Sequence, residues 1–422
     1  MTYIKDIKAR QVLDSRGNPT IEVDVITSNN AYGTAIVPSG ASKGKYEAFE
    51  LRDNDKSYYN GKSVLKAINN IEKYISKSLY KVDIFDIDKI DNIMLLMDSS
   101  CNKSIIGANS MLGISLAAIK AAAIEKKIPL FQYIDPTSNI LPIPMINILN
   151  GGQHANNNLS FQEFMIMPCN AKSFSEAIHV AFKVFNNLKN ILIENNLSTN
   201  VGDEGGFAPN INSNKDAIEF LLKAIKKSNY NPEKDVLIAL DIASASFFSN
   251  QNYLVDNNLL NSDNYIQYLI DLCNEYPIKS IEDGIYEDNW QDWSFLNMKL
   301  GNNVQIVGDD LFTTNIDRLK KGIDNNSANA ILIKPNQIGT FTETRKVVDL
   351  AKKNQYNCIM SHRSGDSEDN IIADLSVGLK CKYIKTGSLS RSERISKYNQ
   401  LLRIEKFLGK KSFYAGIDSK YI

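Results

Sequence analysis

From about residue 230 onward, short apolar runs alternate with amphipathic ones, and most apolar runs end on a charged or polar residue. "VLIALDIA" is followed by "NYIQYLIDLCNEY", "IKSIEDG" by "NWQDWSFLNMK", and "VQIVGDD" by "NIDRLKKGI". "AILIKP" precedes "FTETRKVVDLAKKN", "NCIMSHRSG" precedes "DNIIADLSVGLK", and "YIKTGS" precedes a closing helix around "NQLLRIEKFLG". Continuous Ile/Leu/Val runs read as strands buried on both faces, the mark of a parallel sheet. Parallel neighbours need a crossover, normally a helix, and the amphipathic runs supply it. So many units in succession predict an α/β chain with a (β/α)8-type barrel. A doubly wound open sheet is the alternative. No GxGxxG follows a strand, which counts against its dinucleotide-binding form.

The strand ends carry the chemistry. They deliver Asp241, Glu282, Asp309, Lys334, His362 (with Arg363 and Ser364) and Lys385. Successive members lie roughly 25 residues apart, about one βα unit, apart from one longer step. In a parallel barrel these positions share the C-terminal face, where active sites are built. A single strand-end acid is more often a cap or an ion-pair partner, and a single lysine is usually solvated. Six polar ends at one register favour a site. Three carboxylates without cysteine suit Mg²⁺. Two lysines beside a dication imply a strongly anionic substrate. Crowded positive charge and burial both lower a lysine pKa, so Lys334 is expected to be a neutral general base. Pro335 stops the strand, and the spacing of Thr340 and Glu343 predicts a capping box at the next helix.

Upstream, "TIEVDVIT" alternates like a strand and "GANSMLGISLAAIKAAAIEKK" reads as a helix. The Pro-punctuated "LFQYIDPTSNILPIP" suggests a boundary, giving domains 1–136 and 137–422. Three more segments look chemical. "NILNGGQHANNNLSFQEFMIMP" holds His154, Gln162 and Glu163. "NVGDEGGFAPN" sets Asp203 and Glu204 against two glycines. "VPSGASKG" is a small-residue loop with Ser39 and Ser42, able to close over anions or give oxygen to a metal. His179 lies in a helix begun by a capping box at Ser173 and Glu176 and is expected to be structural. Lys+Arg and Asp+Glu both number 48, so no net field favours nucleic acid. The five cysteines lie far apart, against a disulfide or zinc framework and in keeping with a reducing cytosol. The first residues carry charges where a leader needs an apolar core, so a cytoplasmic location is expected.

The motifs "DSRGNPTIEVDV", "VPSGAS", "NGGQHANN", "QEFMI", "GDEGGFAPN", "SIEDG", "GDDLFTTN", "IKPNQIGT", "SHRSGDSED", "IKTGS" and "NQLLRIE" span essentially the whole chain. In this content and order the chain resembles the enolases, and their bacterial branch most. The resemblance implies a small N-terminal α+β domain with a closing loop and a C-terminal barrel irregular in its first strands. It implies a lyase, a phosphopyruvate hydratase that reversibly dehydrates 2-phosphoglycerate to phosphoenolpyruvate in glycolysis and gluconeogenesis. Two Mg²⁺ per active site are implied, the first on Asp241, Glu282 and Asp309, the second on Ser42. Lys334 would take the C2 proton and Glu204 would protonate the leaving hydroxyl, supported by Glu163. His154 and Gln162 would line the substrate, His362 would sit at the closed loop, Arg363 and Ser364 would meet the phosphate, and Lys385 the carboxylate. A homodimer is implied, with Glu22 and Arg403 at its interface; an octamer is the assembly of some bacterial relatives.

The chain departs from the family pattern at Lys43, where threonine is usual, and at Ser246, where an acid is usual. Two other readings are another acid dehydratase or racemase of the same superfamily, and a chain that acts mainly as a binding scaffold. "SHRS" with "SGAS" argues against the first, and the intact carboxylate–lysine set against the second. Lys420 is not the last residue, so a C-terminal lysine lends the second no support.

Overall fold

A computed structural model describes residues 2–40 and 44–416. Ser42, Lys43 and Lys420 therefore lie outside the described residues. Eight strands close into a barrel. Around the ring they are Ile278–Glu282, Gln305–Gly308, Ala330–Ile333, Asn357–Ser361, Tyr383–Lys385, Ile143–Asn150, Glu163–Met167 and Leu237–Asp241. Closure removes the open-sheet alternative. The strands are buried along nearly their whole length, as the apolar runs require.

One strand breaks the parallel rule: Glu163–Met167 runs antiparallel to both neighbours. The connection before it, 151–162, holds only the short 3-10 turn Gly152–His154 in place of a crossover helix. The chain therefore returns as a hairpin. Reversal puts the first residue of this strand, not its last, on the catalytic face. Glu163 pairs with Asp241, and Asp241 pairs with Glu282, so three carboxylates start from one level of the ring.

The lysine strand is short and buried: Ile331, Leu332 and Ile333 have no exposed surface. Each such side chain contributes about 1.5–3 kcal/mol on burial, which fixes the backbone from which Lys334 projects. Lys334 itself lies just past the strand, in extended conformation, as N-cap of a single turn, Pro335–Ile338. The sequence gives no period for this turn. Proline at its first position is pre-organised for helix, and Gly339 at φ +107° ends it. The expected capping box follows: Thr340 Oγ1 accepts from Glu343 N at 3.2 Å and donates to Glu343 Oε2 at 2.7 Å. It opens the helix Phe341–Lys353.

The N-terminal part is a three-stranded antiparallel sheet, Ile4–Leu13, Pro19–Thr27 and Tyr32–Ile36, with helices against it. Its long helix Ala108–Lys126 is buried almost all round. The sheet packs on one side, where a Cβ on Gly33 would lie 2.2 Å from the Ala117 carbonyl oxygen. On another side Ser115 Oγ accepts from Phe341 N at 2.9 Å. Ser39 and Gly365 exchange backbone hydrogen bonds of 2.8 and 2.9 Å, which carries the start of the "SGASKG" loop onto the barrel mouth. A side chain at 365 would strike Ser39 O and Arg16, so the approach needs glycine. Ser173 caps the helix Phe174–Glu194 as expected, and His179 on that helix is exposed. All five cysteines are free thiols. Among the described residues no helix is long and apolar enough to cross a membrane.

Candidate active site

Eleven of the residues singled out from the sequence line one narrow cavity at the barrel mouth, of about 30 Å³. They are His154, Gln162, Glu163, Glu204, Asp241, Asp309, Lys334, His362, Arg363, Ser364 and Lys385. Glu282 lies beneath, 1 % exposed, in contact with Lys385. Ser42 falls outside the described residues.

The floor is an array of carboxylates and ammonium groups. Lys385 Nζ donates to Asp241 Oδ2 at 2.8 Å and to both Glu282 oxygens at 2.9 Å, and lies 3.0 Å from Glu163 Oε1. Burial opposes its charge, but those carboxylates outweigh burial and hold its pKa well above the ordinary lysine value. Lys334 Nζ is paired with Asp309 Oδ2. Here the structure differs from the expected neutral base. Burial, Arg363 and Lys385 push the Lys334 pKa down, yet Asp309 and Glu282 push harder and leave it raised. The carboxylate in direct contact outweighs the nearby cations as long as no metal neutralises it.

The opposite end gathers two histidines and two carboxylates. His154 Nδ1 lies 3.7 Å from Glu163 Oε1 and 3.6 Å from Glu204 Oε1. His362 Nε2 lies 3.3 Å from Glu204 Oε1, and Asn147 Nδ2 donates to Glu204 Oε2 at 3.1 Å. Burial, reinforced by the charge of Glu204, pushes Glu163 well up. Burial also opposes ionisation of Glu204, but the histidines and Arg394 around it win and hold it well below the usual range. Burial keeps both imidazoles themselves toward the neutral form, His362 down to about 4. His362 Nε2 and His154 Nδ1 stand 3.3 and 3.6 Å from Glu204 Oε1, and Arg394 is the fixed positive charge beside them. Two buried carboxylates in one pocket oppose each other's ionisation, and their surroundings push Glu163 up and Glu204 down.

Residues 138–422 match the family model described as "Enolase, C-terminal TIM barrel domain", and residues 4–134 match "Enolase, N-terminal domain". The chain is 51 % identical over 415 residues to an enolase of Ehrlichia ruminantium (strain Welgevonden), covering 98 % of this chain and 99 % of the relative. It is 52 % identical over 414 residues to an enolase of Ehrlichia chaffeensis, covering 98 % of each. The chain belongs to the enolase family.

Enolase-family membership implies a metal, and the residues present fit one. Asp241, Glu282 and Asp309 offer hard oxygens with no cysteine or histidine among them. Burial and the charge of Asp241 raise Glu282 to about 8 although Lys385 touches it, so the two ammonium groups leave the floor under-neutralised. Asp283, Asp309 and Asp310 also bring carboxylate oxygens within 4.8 Å of one another. The Asp283 carboxylate accepts from Asp309 N at 2.9 Å and Asp310 N at 2.8 Å, which sets the turn that presents Asp309.

Several residues that no local sequence pattern marks also shape this enolase-family site. Gln337, in the unforeseen turn, donates to Asp309 Oδ1 at 2.9 Å. Glu47 holds Arg363 through both terminal nitrogens, at 3.1 and 3.0 Å. Arg394 is wholly buried beneath His362. Their signal was faint: Glu47 sits among charged loop residues and Arg394 on what reads as the polar side of a helix. Ser246 merely caps its own turn, donating to Ala243 O at 2.8 Å on the surface.

Proposed function

We propose that this chain catalyses the reversible, Mg²⁺-dependent dehydration of 2-phosphoglycerate to phosphoenolpyruvate. One observation carries the reading beyond family membership. In the ring of eight, the lysine strand stands four places from the Glu163 strand, directly across the barrel. A base at one wall and a proton-holding carboxylate pair at the other suit removal of a C2 proton and a C3 hydroxyl from opposite sides of one small acid.

Lys334 removes the C2 proton and Glu204 protonates the departing hydroxyl. Lys334 would become a base if a cation held by Asp309 and Glu282 offset their charge, because burial, Arg363 and Lys385 lower its pKa. Glu163 and Glu204 share the proton that the hydroxyl needs, with His154 against both. Lys385 faces the substrate carboxylate, where charge builds as the C2 proton leaves. Arg363 and Ser364 meet the phosphate, which would replace Glu47 on the guanidinium. His154 and Gln162 line the substrate, and His362 sits beside Glu204. Asp241, Glu282 and Asp309 would hold one Mg²⁺ and Ser42 a second, as enolase-superfamily sites pair a Lys or His base with one or two such ions. Bound there, Mg²⁺ supplies Lewis-acid stabilisation of the developing charge, worth several kcal/mol.

We further propose domains 1–136 and 137–422, a cytoplasmic location and a homodimer through Glu22 and Arg403. Arg403 is exposed, while Glu22 pairs with Arg10 at 2.7 Å within the chain. Sedimentation of the purified protein separates dimer from octamer. The main test follows phosphoenolpyruvate formation from 2-phosphoglycerate by absorbance. Turnover is expected with Mg²⁺, none after chelation, and recovery on adding Mg²⁺ back. Tight metal-dependent binding of 2-phosphoglycerate with no turnover would overturn the reading.

A further inference from the structure

Arg394 has no exposed surface and sits on the helix Ser392–Leu408, below the cavity. Its Nη1 lies 2.5 Å from His362 Nδ1. A guanidinium has donors only, so this contact is a hydrogen bond only if Nδ1 presents its lone pair. The proton of a neutral His362 must then be on Nε2, the nitrogen 3.3 Å from Glu204 Oε1. Nε2 is buried on the cavity side, so its proton faces the cavity and Glu204. The opposite tautomer would set N–H against N–H at Arg394 and lone pair against carboxylate at Glu204. With Asn147 Nδ2 on Oε2, both oxygens of Glu204 then face donors.

The same guanidinium ties together the segments that meet here. It donates to Arg363 O and Ser364 O at 2.6 Å and to Asp203 O at 3.1 Å. Three residues earlier, Arg391 is held at φ 70°, ψ 125°, a strained backbone for a residue with a Cβ. Its side chain donates to Ser15 O at 2.8 Å and Gly202 O at 3.3 Å. The start of this helix is thus built to fix the Glu204 loop and the His362 strand end relative to one another.

We propose that Arg394 is a positioning residue for the dehydration: it fixes His362 as the Nε2–H tautomer and aims that proton at Glu204. The inference rests on the function proposed above. Burial and Arg394 both keep the ring from becoming imidazolium.

The chain has only three histidines, so ¹⁵N-histidine labelling resolves them. His179→Gln, on an exposed helix face, and His362→Gln assign the signals; the former leaves turnover unchanged. In the wild type at neutral pH, His362 is expected to show a protonated Nε2 and a lone-pair Nδ1. Arg394→Met should give a mixture of tautomers and lower kcat by about 10- to 100-fold. Arg394→Lys, which still donates, should restore the Nε2–H signal and part of kcat. An Nδ1–H or imidazolium His362 in the wild type overturns the proposal, as does a folded Arg394→Met that keeps pure Nε2–H. If Arg394→Met does not fold, the wild-type spectrum decides alone. Failure of the wild type to turn over 2-phosphoglycerate would sink the function and leave the tautomer result standing.

Discussion

The two halves of the barrel mouth solve opposite problems. Where the strands are regular and parallel, Glu282, Asp309, Lys334 and Lys385 stand at strand ends and pair by direct contact. Where the chain doubles back through the antiparallel strand, His154 and Glu204 sit on connections, and His154 Nδ1 and Glu163 Oε2 are buried without hydrogen bonds. Buried polar groups are rarely left that way without a functional reason. The difference matches the proposed roles: one half would hold charge, and the other would hold and release a proton.

Substitutions at the two walls should separate these duties. Lys334→Ala removes the base and should lower kcat by about 10⁴-fold with the fold intact. Glu204→Gln keeps the shape but cannot release a proton, and should cost about 10²- to 10³-fold. Steady-state kinetics beside a far-ultraviolet CD spectrum checks both. Equal losses in kcat/KM with unchanged kcat would make the two residues mere binders and erase the contrast.

The regular half was readable because its chemistry follows the strand period. An apolar run that ends on Asp, Glu or Lys announces both the strand and the side chain at its end. In the irregular half the residues around His154, Glu163 and Glu204 looked chemical, but their roles came only through the family's motifs, since Glu163 begins its strand and Glu204 lies in a glycine-rich loop. Gln337, Glu47 and Arg394 act through contacts between segments distant in the chain, and no local pattern marks them. The direct contact of Lys334 with Asp309, which raises the lysine pKa as long as no metal offsets it, is likewise not local: Asp309 lies on the neighbouring strand, 25 residues back in the chain.

Two smaller effects test whether the helix after the lysine strand belongs to the scaffold alone. Asp91 is fully buried and accepts from Thr342 N at 2.9 Å. Burial raises it to about 6, above the unfolded value of about 3.9. Its proton therefore favours folding most below the unfolded pKa, and that contribution is lost as pH rises through 6. The lost stability is about 3 kcal/mol. Asp91→Asn should thus gain on the wild type in urea midpoint between pH 4 and 7; a constant difference would refute the shift. Thr340→Ala removes the helix cap and should cost about 1 kcal/mol of stability. In both variants kcat should stay near the wild-type value; a large fall would show that the scaffold around Lys334 also tunes its chemistry.

The division of labour across the barrel is tested most directly by exchange of the C2 proton of 2-phosphoglycerate in D₂O with Mg²⁺. With Lys334 on one wall and Glu204 on the other, Glu204→Gln should still exchange this proton while making almost no phosphoenolpyruvate, and Lys334→Ala should do neither. Exchange that persists in Lys334→Ala, or that vanishes together with turnover in Glu204→Gln, would contradict the assignment of base and acid to opposite walls.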